Sequence, residues 1–297
     1  MNKKGTQSPN KNQEALEKLE AGILSLMDSQ TWKNYLRFQS KFHSYSFTNS
    51  LLIWFQKPGA TYVAGFNKWK ELGRHIKKGE KGIQIFAPLF RKQRTSTDDA
   101  ELSLDGEPTE TNNSKPAVKM LSGFRIVYVF DVSQTEGEPF EVPNLEVNIL
   151  HGDCEWYEQL RSVCPFPVTE VSVEVLGGAN GDFNRSTNAI RVLESLPELQ
   201  KAKTLVHEWG HGLLHGKWAE LPDIEKCELE AESVAFVVAQ SLGFDTSTYT
   251  FGYIAGWNGE DAVERLRKSA IRIQNAADQI LSALENSKPS TEQENVA

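Results

Sequence analysis

Hydrophobic residues near the start of the chain recur at helical spacing. Leucine and isoleucine lie three or four residues apart from Glu14 onward, which predicts a helix, and the segment 31–41 predicts a second one. The run "SYSFTNSLLIWFQKPGA" predicts a third helix, because Ser and Thr can cap its start and the Pro-Gly pair ends it. "NKWKELG" predicts a short fourth helix that ends at its glycine.

Two segments of extended character follow these helices. "GIQIFAPLF" and "SGFRIVYVFDV" are rich in β-branched and aromatic residues, which predicts one strand in each. The polar stretch 91–116 between them predicts a flexible insertion in a hairpin. Further on, "TEGEPFEVPNLE" is rich in Pro and Glu, which is typical of a linker between domains.

The second half predicts a small sheet followed by long helices. A helix near 154–163 precedes an alternating strand in "PVTEVSVEVL", and "GDFNRSTNAIRVL" predicts a turn into another strand. The long helices are expected at about 197–215, 223–242 and 260–285. The fold class is therefore predicted to be α+β, with a small sheet beside a helix pair.

These patterns divide the chain into two predicted domains. The 297 residues, 39% of them hydrophobic, suffice for a sizeable core and two domains. In chain order, we predict a flexible start at 1–13, a domain of helices and a β-hairpin at 14–135, a linker at 136–148, a second domain at 149–286 and a flexible tail at 287–297.

Composition excludes several classes of protein. No apolar run approaches the roughly 18 to 20 residues of a membrane span, and the start lacks the apolar core of a secretory signal, so we expect no membrane partner and a cytoplasmic location. The three cysteines show no C-x-x-C spacing. That argues against a disulfide framework and against a zinc cluster held by thiolates.

The net charge of −8 conceals a strong asymmetry along the chain. The segment 31–94 contains thirteen Lys or Arg and two acidic residues, a net charge of +11, so the remainder carries −19. The segment also contains thirteen aromatic residues. Aromatic rings among basic side chains favour a single-stranded nucleic acid, since rings can stack on unpaired bases while Lys and Arg contact phosphates. The alternative is an ordinary solvated charged face above aromatic core residues.

We expect DNA contacts from aromatic, polar and basic side chains of this segment: Tyr35, Arg37, Phe42, His43, Tyr45, Asn49, Trp69, Arg74, Lys77, Lys78 and Lys81. The stretch "GRHIKKGEKG" is interpreted as a helix end and tight turn that directs its basic side chains outward. It is no P-loop, because Gly-Lys-Ser/Thr is absent.

The run "LVHEWGHGLLHG" contains the pattern H-E-x-x-H. His207 and His211 lie four residues apart, so both imidazoles can face one cation from one side of a helix, with Glu208 beside them. Two histidines and a third protein ligand leave a position for water, whose pKa falls from about 15.7 to about 7 on a metal. Glu208 can accept the proton of that water, which predicts a hydrolytic site.

The third ligand is expected from "CELEAESVAFVVAQSL", where Glu228 is our first candidate and Glu230 an alternative. Glu232 is expected to orient one histidine through its other ring nitrogen. We expect Zn²⁺, although two His and one Glu also suit manganese, cobalt or nickel. His215 lies about 12 Å along the helix from His207, too far to share a cation, and is interpreted as a helix C-terminal residue whose partial positive charge suits the helix dipole.

Two alternatives to a catalytic metal site remain open. The histidines could be incidental members of a core helix, but burying His, Glu and His without partners would be costly. The metal could also be structural, although a purely structural site has no use for Glu208 as a base.

Longer runs carry a family resemblance. "YLRFQSKFHSYSFTNSLLIWFQKPGATYVAGFNKWKELGRHIKKGEKGIQIFAP", with "FRIVYVFDVSQTEGEP", resembles the N-terminal single-stranded-DNA-binding domain of the ArdC-like antirestriction proteins of conjugative plasmids and other mobile elements. "TLVHEWGHGLLH" and "ELEAESVAFVVAQSLGFDTSTYTFGYIAGW" are similar to the metallopeptidase-like domain of the same proteins, which is related to the ImmA/IrrE group of zincins.

The resemblance implies a DNA-binding first domain and a gluzincin-like second domain that holds zinc or a similar ion. By motif, it implies His207 and His211 as ligands, Glu228 as the acidic ligand and Glu208 as the catalytic acid/base. It also implies protection of incoming plasmid DNA from host restriction, with single-stranded DNA as partner. The alternative function is a regulatory metallopeptidase that cleaves a repressor or restriction component and uses DNA as a tether.

Overall fold

The structure is a computed structural model that describes residues 11–92, 119–142, 156–216, 223–247, 249, 251 and 261–287. Most of the predicted insertion and flexible start, and the predicted tail after Ser287, lie outside the described residues. Of the predicted linker 136–148, residues 136–142 are described. No helix among the described residues is long and apolar enough to span a membrane.

The first half consists of helices followed by short antiparallel sheets. Its elements are α1 (Lys11–Ser25), α2 (Ser29–Gln39), α3 (Phe47–Gln56), β1 (Val63–Gly65), α4 (Phe66–Glu71), β2 (Arg74–Ile76), β3 (Ile83–Lys92), β4 (Lys119–Asp131) and β5 (Thr135–Gly137). The four helices and the β3–β4 hairpin occur where the pattern predicts them. Strands β1, β2 and β5 were not predicted, because three residues carry too little periodicity to be detected.

Two small sheets are built from these strands. β4 lies between β1 and β3 in one, and β2 pairs with β5 in the other, all antiparallel. Gly73, the first residue of "GRHIKKGEKG", follows the end of α4 as predicted, with a φ of 69°. The next three residues form strand β2, which was not predicted, and the Arg74 side chain is half-buried against β5. Asp131, at the end of β4, accepts hydrogen bonds from the backbone amides of Thr61, Tyr62 and Ser133, which fixes the turn into β5.

The second half places a three-stranded sheet beside long helices. Its elements are α5 (Trp156–Val163), β6 (Val168–Val171), α6 (Val173–Leu176), β7 (Gly181–Asn184), β8 (Ala189–Leu193), α7 (Glu198–His215), α8 (Ile224–Ser241) and α9 (Ala262–Ser287). β8 is central, parallel to β6 and antiparallel to β7. This mixed α+β architecture agrees with the predicted fold class.

The prediction of a single strand in "PVTEVSVEVL" is wrong. β6 ends at Val171, opposite Leu193, the last residue of its partner β8, so no ladder is available beyond it. Val173 and Val175 are exposed, and the chain turns into the short helix α6. The alternating valines therefore do not mark a buried face here.

Helices from both halves share one hydrophobic cluster. It contains Leu19 and Trp32 from the first half together with Phe236 and Ile273 from the second. The Trp32 indole also donates to the Ser233 hydroxyl at 3.2 Å, across the seam between α2 and α8. The described parts of the two predicted domains are thus packed on a common core, and their division at 136–148 stays a prediction.

Candidate metal centre

Helix α7 holds His207, Glu208 and His211 beside the core. Leu205 and Trp209 on the same helix are buried and anchor it in the shared cluster. The spacing of four residues places the two imidazole rings next to each other, with ring centroids 4.7 Å apart.

Helix α8 approaches α7 closely at Gly210. A Cβ at this position would lie 3.4 Å from Ala231 Cα and 3.5 Å from the Ala231 carbonyl oxygen, which is van der Waals contact with the backbone of α8. The close approach brings Glu228 and Glu232, on the first turns of α8, alongside the two histidines.

Three ligand atoms converge between the helices. The Nε2 atoms of His207 and His211 are 3.1 Å apart. Glu228 approaches both, with one carboxylate oxygen 3.5 Å from Nε2 of His207 and the other 3.4 Å from Nε2 of His211. Ligand atoms of the three residues all lie within 4.8 Å of one another, and they are the one such group of His, Cys, Asp or Glu among the described residues.

These separations fit a single divalent ion. Ligands about 2.1 Å from an ion are about 3.0 to 3.4 Å apart when they subtend angles between 90° and 109°. The separation of the two Nε2 atoms falls in this range, and Glu228 approaches each imidazole through a different carboxylate oxygen at or just above the upper end of the range. Two imidazoles and one carboxylate also form the donor set of many catalytic zinc sites.

The electrostatics of the group favour a cation at its centre. Burial lowers the pKa of His207, but hydrogen bonds to Glu228 and Glu232 outweigh burial and raise that pKa to about 10. Hydrogen bonds to His207 and His211 hold the pKa of Glu228 well below its usual range. A proton and a metal ion compete for the same lone pairs, so a site that holds a proton this firmly also suits a metal.

Glu232 contacts His207 on the opposite side of the ring. Its carboxylate lies 3.2 Å from Nδ1 of His207, while Nε2 faces Glu228 and His211. Such a contact favours the tautomer with the proton on Nδ1, which leaves the Nε2 lone pair available to a metal.

Glu208 is buried beside the three candidate ligands. Burial raises its pKa above the usual range, and the two neighbouring histidines oppose this increase. A carboxylate with a raised pKa is a better proton acceptor at neutral pH than an exposed one.

Glu230 lies away from this group. Two residues turn a helix by about 200°, so Glu230 points to the opposite face of α8 from Glu228. There its fully buried carboxylate accepts a hydrogen bond from Ser269 at 2.5 Å and lies 3.3 Å from the Arg272 guanidinium. The structure thus places Glu228, and not Glu230, within reach of the two histidines.

His215 belongs to this second, buried group. Its Nε2 atom lies 3.6 Å from Glu230, and its side chain is buried. Burial, and then the charges of His211 and Arg272, lower the pKa of His215 to about 3. His215 is the last residue of α7, as predicted, but its lowered pKa favours a neutral imidazole over the partial positive charge that was expected there.

Strand β7 runs beside α7 at the edge of its sheet. A Cβ on Gly181 would lie 2.6 Å from Thr204 and 3.4 Å from Cγ of Glu208, so only glycine allows this approach. Two cavities of about 300 and 360 Å³ meet there, and Gly181, His207 and Glu208 line both.

The sequence patterns did not indicate several residues of these cavities. The first cavity is also lined by Asn180 and Lys203, the second by Asp182 and Arg185. Tyr249 lines the first cavity and is largely buried. Lys203 lies on α7 itself, one turn before His207, whereas Asn180, Asp182 and Arg185 come from a loop and from the β7–β8 hairpin and carry no motif that places them beside α7.

Three of the predicted DNA contacts are core residues. Tyr35, Phe42 and Trp69 are buried, so no base can stack on these rings in this conformation. The Tyr35 hydroxyl pairs with Ser50, and the Trp69 indole donates to the Phe130 carbonyl. Their aromatic character serves packing, as the alternative interpretation of this segment holds.

Other predicted contacts are engaged within the protein. The pairs are His43 with Asp278, Tyr45 with the Val63 carbonyl, Asn49 with the Phe86 backbone, Arg74 with Thr135, and Lys77 with the Ser133 carbonyl. Arg37, Lys78 and Lys81 are exposed, and their side chains make no hydrogen bond or ion pair with the described residues. These three remain the most accessible of the predicted contacts.

The first part of the chain matches a known protein family. Residues 12–130 match the family described as the N-terminal domain of anti-restriction factor ArdC. The chain is also 25% identical over 276 residues to uncharacterized protein pXO2-81 of Bacillus anthracis, covering 84% of this chain and 46% of that protein. The chain thus spans less than half the length of this relative.

Two solved structures share the fold. The metal-free crystal structure of antirestriction ArdC protein from the R388 plasmid is 20% identical, with a TM-score of 0.50 over 82% of this chain and 87% of that one. Its Mn(II)-bound form is 17% identical, with a TM-score of 0.54 over 94% of this chain and all of that one. Likeness at this level of identity concerns the fold.

Proposed function

We propose that this chain is a single-stranded-DNA-binding antirestriction protein that carries one divalent metal ion between α7 and α8. The convergence of His207, His211 and Glu228 carries the metal part of the proposal. The family match of residues 12–130 and the charge of +11 over segment 31–94 support the DNA part.

The metal identity is proposed as manganese or zinc. One ArdC crystal structure with this fold contains Mn(II), which supports a divalent ion at a site of this kind. Zinc prefers the same donor set of two imidazoles and a carboxylate, so cellular availability affects which ion is bound. Competitive binding of Zn²⁺ and Mn²⁺ to the purified chain distinguishes the two.

The residues around the ion suit hydrolysis. A bound divalent ion acidifies a water molecule. Glu208 would accept the proton of that water and pass it to a leaving group, a role supported by its burial beside the proposed ligands and by its raised pKa. Glu232 contacts Nδ1 of His207 and in this way orients the imidazole ring, with Nε2 towards the proposed metal position. In this proposal the second half is a zincin-like, peptidase-like domain.

The substitution Glu208→Gln tests whether hydrolysis is part of the function. It keeps the shape of the side chain and removes the proton acceptor without removing a proposed ligand. If the variant still binds metal and single-stranded DNA and still protects entering DNA in a restricting host, hydrolysis is dispensable for antirestriction. Loss of protection with metal and DNA binding intact would make hydrolysis essential.

A second candidate function is a regulatory metallopeptidase tethered by DNA. The position of β7 favours it, because an edge strand next to a proposed base can pair with an extended peptide. In this case Glu208→Gln would abolish cleavage of a repressor or restriction component. Comparing host proteins after expression of the wild type and of Glu208→Gln would reveal such a substrate.

A further inference from the structure

A cavity in the first half has the chemistry of a nucleotide site. It has a volume of about 770 Å³ and shares no residue with the two cavities at the metal centre. Its lining includes Lys18, Lys57, Glu80, Lys81 and Tyr128. We call it the Tyr128 cleft. Of these residues, only Lys81 was among the predicted DNA contacts.

The Tyr128 cleft has an excess of positive charge. Two of its charged groups are already engaged, since Lys18 donates to Gln84 at 2.8 Å and Glu80 accepts from Gln134 at 2.9 Å. The side chains of Lys57 and Lys81 make no hydrogen bond or ion pair with the described residues. Hydrogen bonds to neutral glutamine side chains do not cancel charge, so three lysines and one glutamate leave the lining with a net charge of +2, which favours an anionic ligand and disfavours a cationic one.

An aromatic ring lies at the same cavity. Tyr128 is 41% exposed, in contrast to the buried rings of Tyr35 and Trp69. Alternate residues of a strand point to the same face, so Phe124 lies on the Tyr128 face of β4, about 13 Å further along. Phe124 is 58% exposed. This face of β4 therefore presents two accessible rings.

We propose that the Tyr128 cleft binds one strand of DNA, with a base stacked on Tyr128 and phosphates held by Lys57 and Lys81. This inference rests on the proposed function and locates its DNA site. Rings reach base faces only where bases are unpaired, so the site takes a single strand in preference to a duplex. Phe124 receives a base further along the same strand.

The test uses the full-length protein and a fluorescein-labelled oligothymidylate of about 20 nucleotides, with binding followed by fluorescence anisotropy. Tyr128→Ala is expected to weaken binding about 5- to 150-fold, as for loss of one stacked base, whereas Tyr128→Phe keeps near wild-type affinity. Tyr128→Leu preserves apolar volume and is expected to lose affinity as Ala does. A loss with Leu but not with Phe assigns the effect to the ring.

The lysines are tested through salt dependence. Lys57→Ala and Lys81→Ala are each expected to reduce the slope of log affinity against log salt by about 0.7, the value for one phosphate contact on a single strand. The matched controls are Phe66→Ala and Lys70→Ala, because both side chains are exposed in the first half and neither lines the cleft. Both controls are expected to bind within about twofold of the wild type.

The possible results distinguish a failure of the cleft assignment from a failure of the proposed function. If the wild type binds the oligonucleotide but the cleft variants match their controls, the cleft assignment is overturned and the proposed function stands. If the wild type binds no oligonucleotide, the DNA part of the proposed function itself fails. Equal competition by duplex DNA, or by inorganic phosphate at similar concentration, would also overturn a site built for unpaired bases.

Discussion

The two candidate functional regions hold their charges in different surroundings. Between α7 and α8, His207, His211 and Glu228 are fixed against each other at 3.1 to 3.5 Å, with buried Glu208 beside them. In the Tyr128 cleft, Lys57 and Lys81 stand at an open surface without partners among the described residues. The side chains between α7 and α8 are therefore held in position without a bound metal ion. The two lysines of the Tyr128 cleft, in contrast, can attract an anionic ligand from solution.

This difference has consequences for binding. Charges that are partly buried and close together are little screened by salt, whereas exposed lysines interact with phosphates in a strongly salt-dependent way. Metal binding is therefore expected to depend on single side chains. DNA binding is expected to depend on ionic strength and to be spread over several residues.

Removal of one metal ligand is expected to have the largest effect. His207→Ala takes away one of the three proposed ligands and is expected to weaken Mn²⁺ or Zn²⁺ binding by more than about 100-fold, measured by competition with a chelating dye. His75→Ala is the matched control, because His75 is exposed and paired with Glu136 in the first half. Similar metal affinity in both variants would contradict the assignment of the site.

The next largest effect is expected from ionic strength, which should weaken DNA binding much more than metal binding. Between about 50 and 200 mM salt, affinity for single-stranded DNA is expected to fall about 20- to 100-fold if three to five phosphates are contacted. Metal affinity of the same preparation should change only a few-fold. An affinity for DNA that does not change with salt concentration would show that the protein makes no phosphate contacts.

Loss of the contact between Glu232 and Nδ1 of His207 is expected to have an intermediate effect on metal affinity. Glu232→Gln removes the carboxylate that lies 3.2 Å from Nδ1 but retains a side chain of similar size. Metal affinity is expected to fall about 10-fold, the lower end of the range for residues that orient a ligand, with DNA affinity unchanged. An effect as large as that of His207→Ala would mean that Glu232 is itself a ligand.

The smallest effect on the two binding sites is expected from the scaffold of the cleft, where a substitution changes folding stability. Burial raises the pKa of Asp131, but hydrogen bonds from Ser133, Thr61 and Tyr62 outweigh it and lower the pKa. The ionised carboxylate therefore stabilises the fold above its unfolded pKa of about 4, and this contribution is lost as pH falls through the lower folded value.

Asp131→Asn is accordingly expected to lower the free energy of unfolding by about 1 to 3 kcal/mol at pH 7. The difference from wild type should shrink below about pH 4, as measured by urea denaturation at several pH values. A difference that does not change with pH would show that the charge of Asp131 is not the cause.

The sequence predicts which candidate metal ligands lie together better than it predicts which aromatic side chains of the first half are exposed, and the reason is physical. His207 and His211 are related by one helical turn, so their spacing alone places them on one face. Glu228 and Glu232 on α8 are likewise four residues apart, so their spacing also places them on one face of their helix. Gly181 and Arg185 escape prediction, because tertiary packing brings β7 against α7 and no local pattern records that.

A DNA-binding surface requires exposed side chains, and composition does not specify which side chains are exposed. Tyr35, Trp69 and Tyr128 are all aromatic residues in the first half, yet the first two are buried and the third is not. The main elements of the fold follow from long periodic runs. The three-residue strands and the end of β6 depend on where a partner strand stops.

The most direct test of the central claim is a crystal structure of the chain with Mn²⁺, with the ion located by its anomalous scattering. The account predicts one peak between α7 and α8, about 2.0 to 2.2 Å from Nε2 of His207, Nε2 of His211 and a Glu228 carboxylate oxygen. A peak on Glu230 or His215 instead, or no peak at a concentration of Mn²⁺ that saturates binding in solution, would contradict it.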